Sequence, residues 1–332
     1  QFYLEYDAYG NVLRSATIAY GRRENGHPDP QQTQGIYTYQ TFLNFTENRY
    51  RLGLPTEYQT FELGGLSQSG YLTGEDIENS YPKPEETALD FDRVITGVGT
   101  RLIGWKQYRY WNDAQTEILP VGEAGWRGLL GYTATAVGSR GQIEFLFNSF
   151  DPNRLHEKLL STDSDGGGFR SQTRTASDRI YYFDSGITAY YGDSTQFFQP
   201  IRFVDQFGTE TLASYDSYYL SIVATEAKLS DTQSLTNRVE LDYRTLKPSV
   251  AIDINNNTTE YLYDELGNVQ VVSRYGIENG VRRGDLPIQN YSIVSKASLE
   301  EILDNPETYI QTATSFFFYD LLAWERERQP VY

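Results

Sequence analysis

Two histidines, 45 acidic side chains and no cysteine set the catalytic and metal chemistry open to this 332-residue chain. A Ser-His-Asp arrangement needs His27 or His156, yet the chain has no nucleophile turn of the G-x-S-x-G kind, and both histidines read as surface residues. No H-x-x-x-H pair offers a zinc site, and the lack of cysteine removes thiolate nucleophiles, Cys-held metals and disulfides. The run "DSDGGG" from Asp163 to Gly168 hints at a calcium loop, but glycine arrives fourth instead of sixth. Position twelve is then Arg174, a cation where a bidentate carboxylate belongs, so a flexible loop is the better expectation. Carboxylate pairs for glycoside hydrolysis can be chosen at will among so many acids, and no spacing singles out two of them. Tyrosine and tryptophan faces could stack on sugars, but cross-strand aromatic pairs account for them equally well. The expectation is therefore no catalytic residue, no metal ligand and no cofactor site.

What does recur is a turn. "YLYDELGNVQVVSRYG" from Tyr261 to Gly276 resembles "YDAYGNVLRSATIAYG" from Tyr6 to Gly21, and "VDQFGTETLASYDSYY" from Val204 to Tyr219 is a looser copy. In each, an aspartate (Asp7, Asp205, Asp264) is followed three positions later by glycine (Gly10, Gly208, Gly267), then by Asn or Thr, and then by strand-favouring residues. An aspartate accepts backbone N–H groups two residues on, and glycine supplies positive φ for the reversal. "DINNNT" from Asp253 aligns with "DELGNV" from Asp264, with Asn256 in the glycine position. Asparagine is the non-glycine residue that best tolerates the left-handed region. Asp253 and Asp264 are 11 residues apart, as are Asp205 and Asp216, which leaves strands of about seven residues between turns. A motif repeated three times is a construction unit rather than a single active site.

The elements that carry these turns are strands. The chain holds 28 Tyr, 17 Phe and 28 Gly, which favours β-structure, with the repeat tyrosines Tyr6 and Tyr263 expected to be packed. "RLGLPTEYQTFEL" from Arg51 suggests a Gly-Leu-Pro break feeding an alternating strand, and "RLIGWKQYRYW" from Arg101 alternates similarly. Helices look few and short: one opens at Ser298 with Glu301 completing a capping box, and another turn or two starts at Thr73. The polar, Gly-rich stretch 161–178 reads as a long loop and internal boundary, dividing a first β region, 1–160, from a second, 179–332. A net charge of −17, with basic pairs only at Arg22–Arg23 and Arg282–Arg283, argues against nucleic acid as a partner. No apolar run reaches the roughly 20 residues of a membrane-spanning helix, so no membrane contact is expected of this segment. The sequons at Asn44, Asn257 and Asn290 are weak patterns. A start on Gln1, within an apparent strand, is expected of a segment cut from something longer.

The repeat unit resembles the YD repeat of rearrangement-hotspot (RHS) proteins. More narrowly, the chain is similar to the B component of insecticidal toxin complexes (Tc toxins). The likeness rests on "YDAYGNVLRSATIAYGRR", "NRYRLGLPTEYQTFELGGL", "FQPIRFVDQFGTETLASYDSYYL", "DYRTLKPSVAIDINNNTTEYLYDELGNV" and "YIQTATSFFFYDLLAW", in family order. It departs from the family in its Tyr-rich "IYYFDSGITAYY", where tryptophans are usual, and in Asn256 for glycine.

The resemblance implies a mainly β fold, an extended antiparallel sheet of YD/RHS hairpin repeats that walls a hollow shell. In that family the shell of B and C components encloses a toxic C-terminal polypeptide, delivered through a pore-forming A component. This chain would be a non-catalytic, secreted middle segment of the B component, a virulence factor. Its partners would be the C component, the enclosed toxic segment and, indirectly, the A component. The alternatives from the residues alone are an extracellular glycan-binding or adhesin β domain and, behind it, a glycoside hydrolase.

Overall fold

The computed structural model describes residues 1–21, 33–47, 49–66, 70–163, 165–230, 232–294 and 298–327. His27 and the Arg22–Arg23 pair lie outside them. Among the described residues the regular structure is overwhelmingly antiparallel strand, and every α-helix has nine residues or fewer. Two compact units are formed, 1–191 with 202–209, and 192–201 with 210–332.

The first unit carries β1 (Phe2–Tyr6), β2 (Val12–Ala19), β3 (Gln34–Phe45), β4 (Arg51–Gly64), β5 (Gly99–Tyr110), β6 (Leu130–Ser139), β7 (Arg170–Arg174), β8 (Arg179–Asp184) and β9 (Thr188–Tyr191). An eight-stranded sheet takes the order β1-β2-β3-β4-β5-β6-β8-β7. Its core follows from register. Phe2 pairs with Ala16, Ala16 with Tyr37, Tyr37 with Phe61 and Phe61 with Leu102, so one row of apolar side chains crosses five strands. Phe61 and Leu102 are completely buried. Trp105 meets Tyr181 and Phe183 edge-on at centroid distances of 5.5 and 5.0 Å, geometry favoured by the ring quadrupoles.

The crossover from β4 to β5 supplies the cover for this face. It contains α1 (Gly74–Ser80), capped at Thr73 by reciprocal bonds with Asp76, and α2 (Pro84–Thr87). Ile77, Tyr81 and Ala88 join the buried cluster. Asp90 anchors its far end. This carboxylate, 5% exposed, accepts from the Tyr181 hydroxyl at 2.6 Å, Ser177 Oγ at 2.8 Å and Arg174 Nη1 at 3.1 Å. Arg179 Nε lies 3.2 Å from its second oxygen. Burial pushes the Asp90 carboxyl up, but the Tyr181, Ser177 and Arg174 bonds outweigh it and hold the group below its ordinary value.

The second unit contains β10 (Pro200–Val204) in part, then β11 (Glu210–Tyr215), β12 (Ile222–Lys228), β13 (Ser234–Asp242), β14 (Lys247–Ile252), β15 (Thr258–Tyr263), β16 (Val269–Glu278), β17 (Val281–Gly284) and β18 (Ser315–Phe316). The ten-stranded sheet runs from β9 to β17 in chain order, with β18 against β16. Most residues of β12 to β15 are only half-buried. Complete burial in the sheet is reached at Val271 and Ser273 of β16. Ser298 caps α5 (Leu299–Asp304), its side chain accepting from Glu301 N, but the Glu301 side chain does not complete the expected box and turns to Tyr309; α6 (Pro306–Ile310) and α7 (Ala323–Glu327) follow.

Three expectations are corrected. The Gly-Leu-Pro sequence does not break its strand: β4 runs through it, with Pro55 paired to Phe42 at a register shift that absorbs the missing N–H. The stretch 161–178 is not a loop throughout, because residues 170–174 form β7 and pair with β8. The units also divide at residues 191–210 instead of within that stretch. Finally, α3 (Arg140–Leu146) and α4 (Pro152–Leu160) were not anticipated, although Ser139 with Gln142 forms a capping box and Asp151-Pro152 opens the second helix.

Two substitutions test this packing. Phe61→Ala should cost about 3–5 kcal/mol in urea unfolding, through lost transfer energy and the cavity left behind. Asp90→Ala should cost a similar ~3–5 kcal/mol by stranding Arg174 without its counter-ion. Asp90 is depressed in the fold, so its contribution is complete above the unfolded carboxylate value of about 4 and is lost as pH falls through the lower folded value. Unfolding midpoints of wild type and Asp90→Asn, measured across that acid range, should converge as pH drops. Parallel curves would remove Asp90 from the account.

Candidate functional site

The predicted site residues form a set of identical turns. At Asp264, Oδ1 accepts Leu266 N at 2.9 Å and Asn268 N at 2.8 Å, while Gly267 N reaches the Asp264 carbonyl at 3.1 Å. Asp253 repeats this with Asn255 N at 2.8 Å and Asn257 N at 2.9 Å. Asp205 does so with Phe207 N and Thr209 N, and Asp7 with Tyr9 N and Asn11 N. Gly10, Gly208 and Gly267 have φ of 87°, 87° and 82°, and Asn256 has 60°. Each turn joins neighbouring strands: β1 to β2, β10 to β11, β14 to β15 and β15 to β16. Each aspartate is engaged within its own turn.

The asparagine that follows the glycine position is part of the recurring pattern, but its task was not foreseen from the sequence. Asn11, Asn257 and Asn268 each turn a carboxamide back onto the second aspartate oxygen, at 2.8, 2.9 and 3.1 Å. Asn44 adds a further donor to Asp7 at 2.9 Å while its own oxygen accepts Gly53 N, so the Asn44 and Asn257 amides are both used internally. These bonds favour the charged carboxylate. The Asn11 carboxamide leads in holding Asp7 down to about 2, and the Asn257 carboxamide leads in lowering Asp253. Further turns use the same logic without glycine. Asp216 accepts Leu220 N and Ser221 N, with Tyr219 at φ 57°, and Asp242 accepts Arg244 N, with Leu246 at φ 55°. The aspartate closing a strand was the legible signal for both.

The tyrosine before the aspartate has its own task. Tyr263 donates its hydroxyl to the Pro248 carbonyl at 2.6 Å, and Tyr215 donates to Pro200 at 3.1 Å, in both cases 15 residues back on the adjacent strand. Tyr110 makes the same bond to Pro55 at 2.6 Å. Tyr263 also stacks on Tyr261 at 6.4 Å and 18°. Tyr6 departs from expectation: it lies on edge strand β1, is 52% exposed and contacts Tyr3.

The other candidates resolve locally. His156 is half-buried, with Nδ1 2.6 Å from the Tyr182 hydroxyl, rather than a free surface residue. In the 163–168 run, Asp165 pairs with Lys158 and Asp163 Oδ2 accepts Ser161 Oγ at 2.8 Å. Among the described residues no group of three His, Asp or Glu could hold a metal, and no helix is long and apolar enough to cross a membrane. A cleft of about 540 Å³ at the β15–β17 end includes Asp253, Arg274, Glu278 and Arg283. Its carboxylates are engaged, Asp253 in its turn and Glu278 with Arg283 Nε at 3.2 Å.

No protein-family model matches the chain, and no curated protein matches it. Solved structures do. The crystal structure of TcdB2-TccC3 covers 99% of this chain with a TM-score of 0.74 at 20% identity, and this chain spans 16% of that one. The TcdB2-TccC3-Cdc42 crystal structure covers 91% at a TM-score of 0.66 and 20% identity, over 14% of its length. The Photorhabdus luminescens Tc holotoxin pore covers 91% at 0.67 and 20% identity, again over 14%. The chain thus has the mainly antiparallel fold of one segment of these Tc toxin structures.

The turn geometry carries a direct test. Gly267→Val forces a β-branched residue to φ 82° and should destabilise by roughly 1–3 kcal/mol in chemical unfolding. Asn256→Gly, at a position already left-handed, should change stability by no more than a few tenths of a kcal/mol. Equal losses for the two would contradict the turn reading.

Proposed function

We propose that this chain is a non-catalytic wall segment of a Tc toxin B component, part of an RHS-type shell that encloses a cytotoxic polypeptide. The observation that carries the reading is the match of 99% of the chain to one segment of TcdB2-TccC3 at a TM-score of 0.74. Its partners are then the C component with its enclosed toxic segment, and indirectly the pore-forming A component. The assembly is secreted and acts in virulence.

The internal chemistry supports a wall. The repeat aspartates spend their oxygens on turn N–H groups, and the repeat tyrosines Tyr215 and Tyr263 spend their hydroxyls on neighbouring carbonyls. Neither set is left facing a common cleft, where sugar binding or general acid–base work would need it. The long antiparallel sheets, one only half-covered by its own unit, suit a surface that is completed by assembly.

Limited proteolysis of the full-length protein, co-expressed with a C component, tests this. A cargo fragment should stay intact while the shell is closed and be digested once the shell is opened by denaturant. Cargo digested at once beside an intact shell would refute encapsulation. Binding of the purified protein to one sugar class on a glycan array, lost on a single Tyr→Ala change, would favour the adhesin reading instead.

A further inference from the structure

We propose that Asn279 is a site of spontaneous deamidation, a modification that acts on the edge hairpin of the second sheet. Asn279 and Gly280 form the two-residue turn between β16 and β17, with Glu278 paired to Val281 across it. Their φ values are 51° and 77°, the left-handed pair that such a turn requires. Both residues are exposed, as are all four residues of β17. The asparagines that close the aspartate turns, Asn11, Asn257 and Asn268, are tied to an aspartate through their carboxamides, and Asn255 and Asn256 are each followed by asparagine instead of glycine. Asn279 follows Glu278, whose carboxylate is turned to Arg283. It has no such aspartate in its turn.

The chemistry needs only water. The Gly280 backbone nitrogen attacks Asn279 Cγ, losing its proton, and ammonia leaves as the five-membered imide closes. Water then opens the imide. Attack at Cγ returns aspartate, and attack at the Asn279 backbone carbonyl carbon gives isoaspartate, with the chain running through the side-chain carbonyl. Glycine favours the step because it has no Cβ to hinder the approach of its nitrogen. The turn conformation itself must be left for the ring to close, and an exposed hairpin at a sheet edge is where local opening is cheapest.

The two products differ in structure. Aspartate suits the turn, since Asp-Gly is also a preferred pair there. It adds one negative charge next to Glu278. Isoaspartate lengthens the backbone within a two-residue turn and so breaks the Tyr275–Gly284, Gly276–Arg283 and Ile277–Arg282 pairings. Tyr275, Gly276, Ile277, Arg283 and Gly284 line the cleft at the β15–β17 end, so the cleft opens on that side.

The test is incubation of the folded protein at neutral pH, followed by peptide mapping with separation of the two acidic products. Asn279 should convert before Asn11, Asn257, Asn268 and Asn290, and mapping distinguishes it from Asn25–Gly26. Hydrogen exchange should show faster amides in residues 281–284 in the isoaspartate fraction and unchanged amides in Asn279→Asp. If Asn279 stays intact in the folded chain while the urea-unfolded chain converts, the turn protects it and the proposal fails. It fails equally if another of these asparagines converts first.

Discussion

A chain reversal in an antiparallel sheet leaves backbone N–H groups without a strand partner, and the repeat turns of this protein meet that demand with one side chain. An aspartate at the strand end accepts two of them on a single oxygen, as Asp264 does from Leu266 and Asn268. The next step, a left-handed residue, is then forced by geometry, which is why glycine or asparagine stands three places on. Asn268 and Asn257 close the second oxygen, so the carboxylate is satisfied on both sides. In the repeats, where that aspartate falls decides where one strand ends and the next begins.

The two units spend this device differently. In the first, a row from Phe2 to Leu102 is sealed by the β4–β5 crossover, and the buried Asp90 pins the crossover to β7 and β8 through Arg174, Arg179 and Tyr181. In the second, β12 to β15 lack such a cover, and local bonds do more: the aspartate turns, the Tyr263 and Tyr215 bonds to proline carbonyls, and the stacked Tyr261 and Tyr263. A sheet held largely by its own hairpins has faces left for other sequence to meet, which is what a shell wall requires.

The sequence made the β class and the turn residues legible because period-2 strands and Asp-x-x-Gly spacing are local signals. Asn256 was readable on the same grounds. The asparagine closure was missed because it depends on a side chain reaching back four residues, although "GN" recurs at Gly10 and Gly267. Arg174 illustrates the opposite limit. It sits in a polar run that reads as a loop, yet it is 2% exposed and donates to Ala88 and Asp90 more than 80 residues away. No local pattern announces such a pair. Tyr6 was misplaced for a related reason: the copy of the repeat is faithful, but its strand lies at a sheet edge.

The central claim is that these residues form part of a wall. A cryo-electron microscopy map of the full-length protein bound to its C component, at a resolution that traces strands, tests it most directly. The account predicts that β3 to β5 and β12 to β16 run within the wall of a closed shell, one face of each sheet bordering enclosed density. Finding this segment outside the shell as an appended domain, with neither sheet facing the interior, would contradict it.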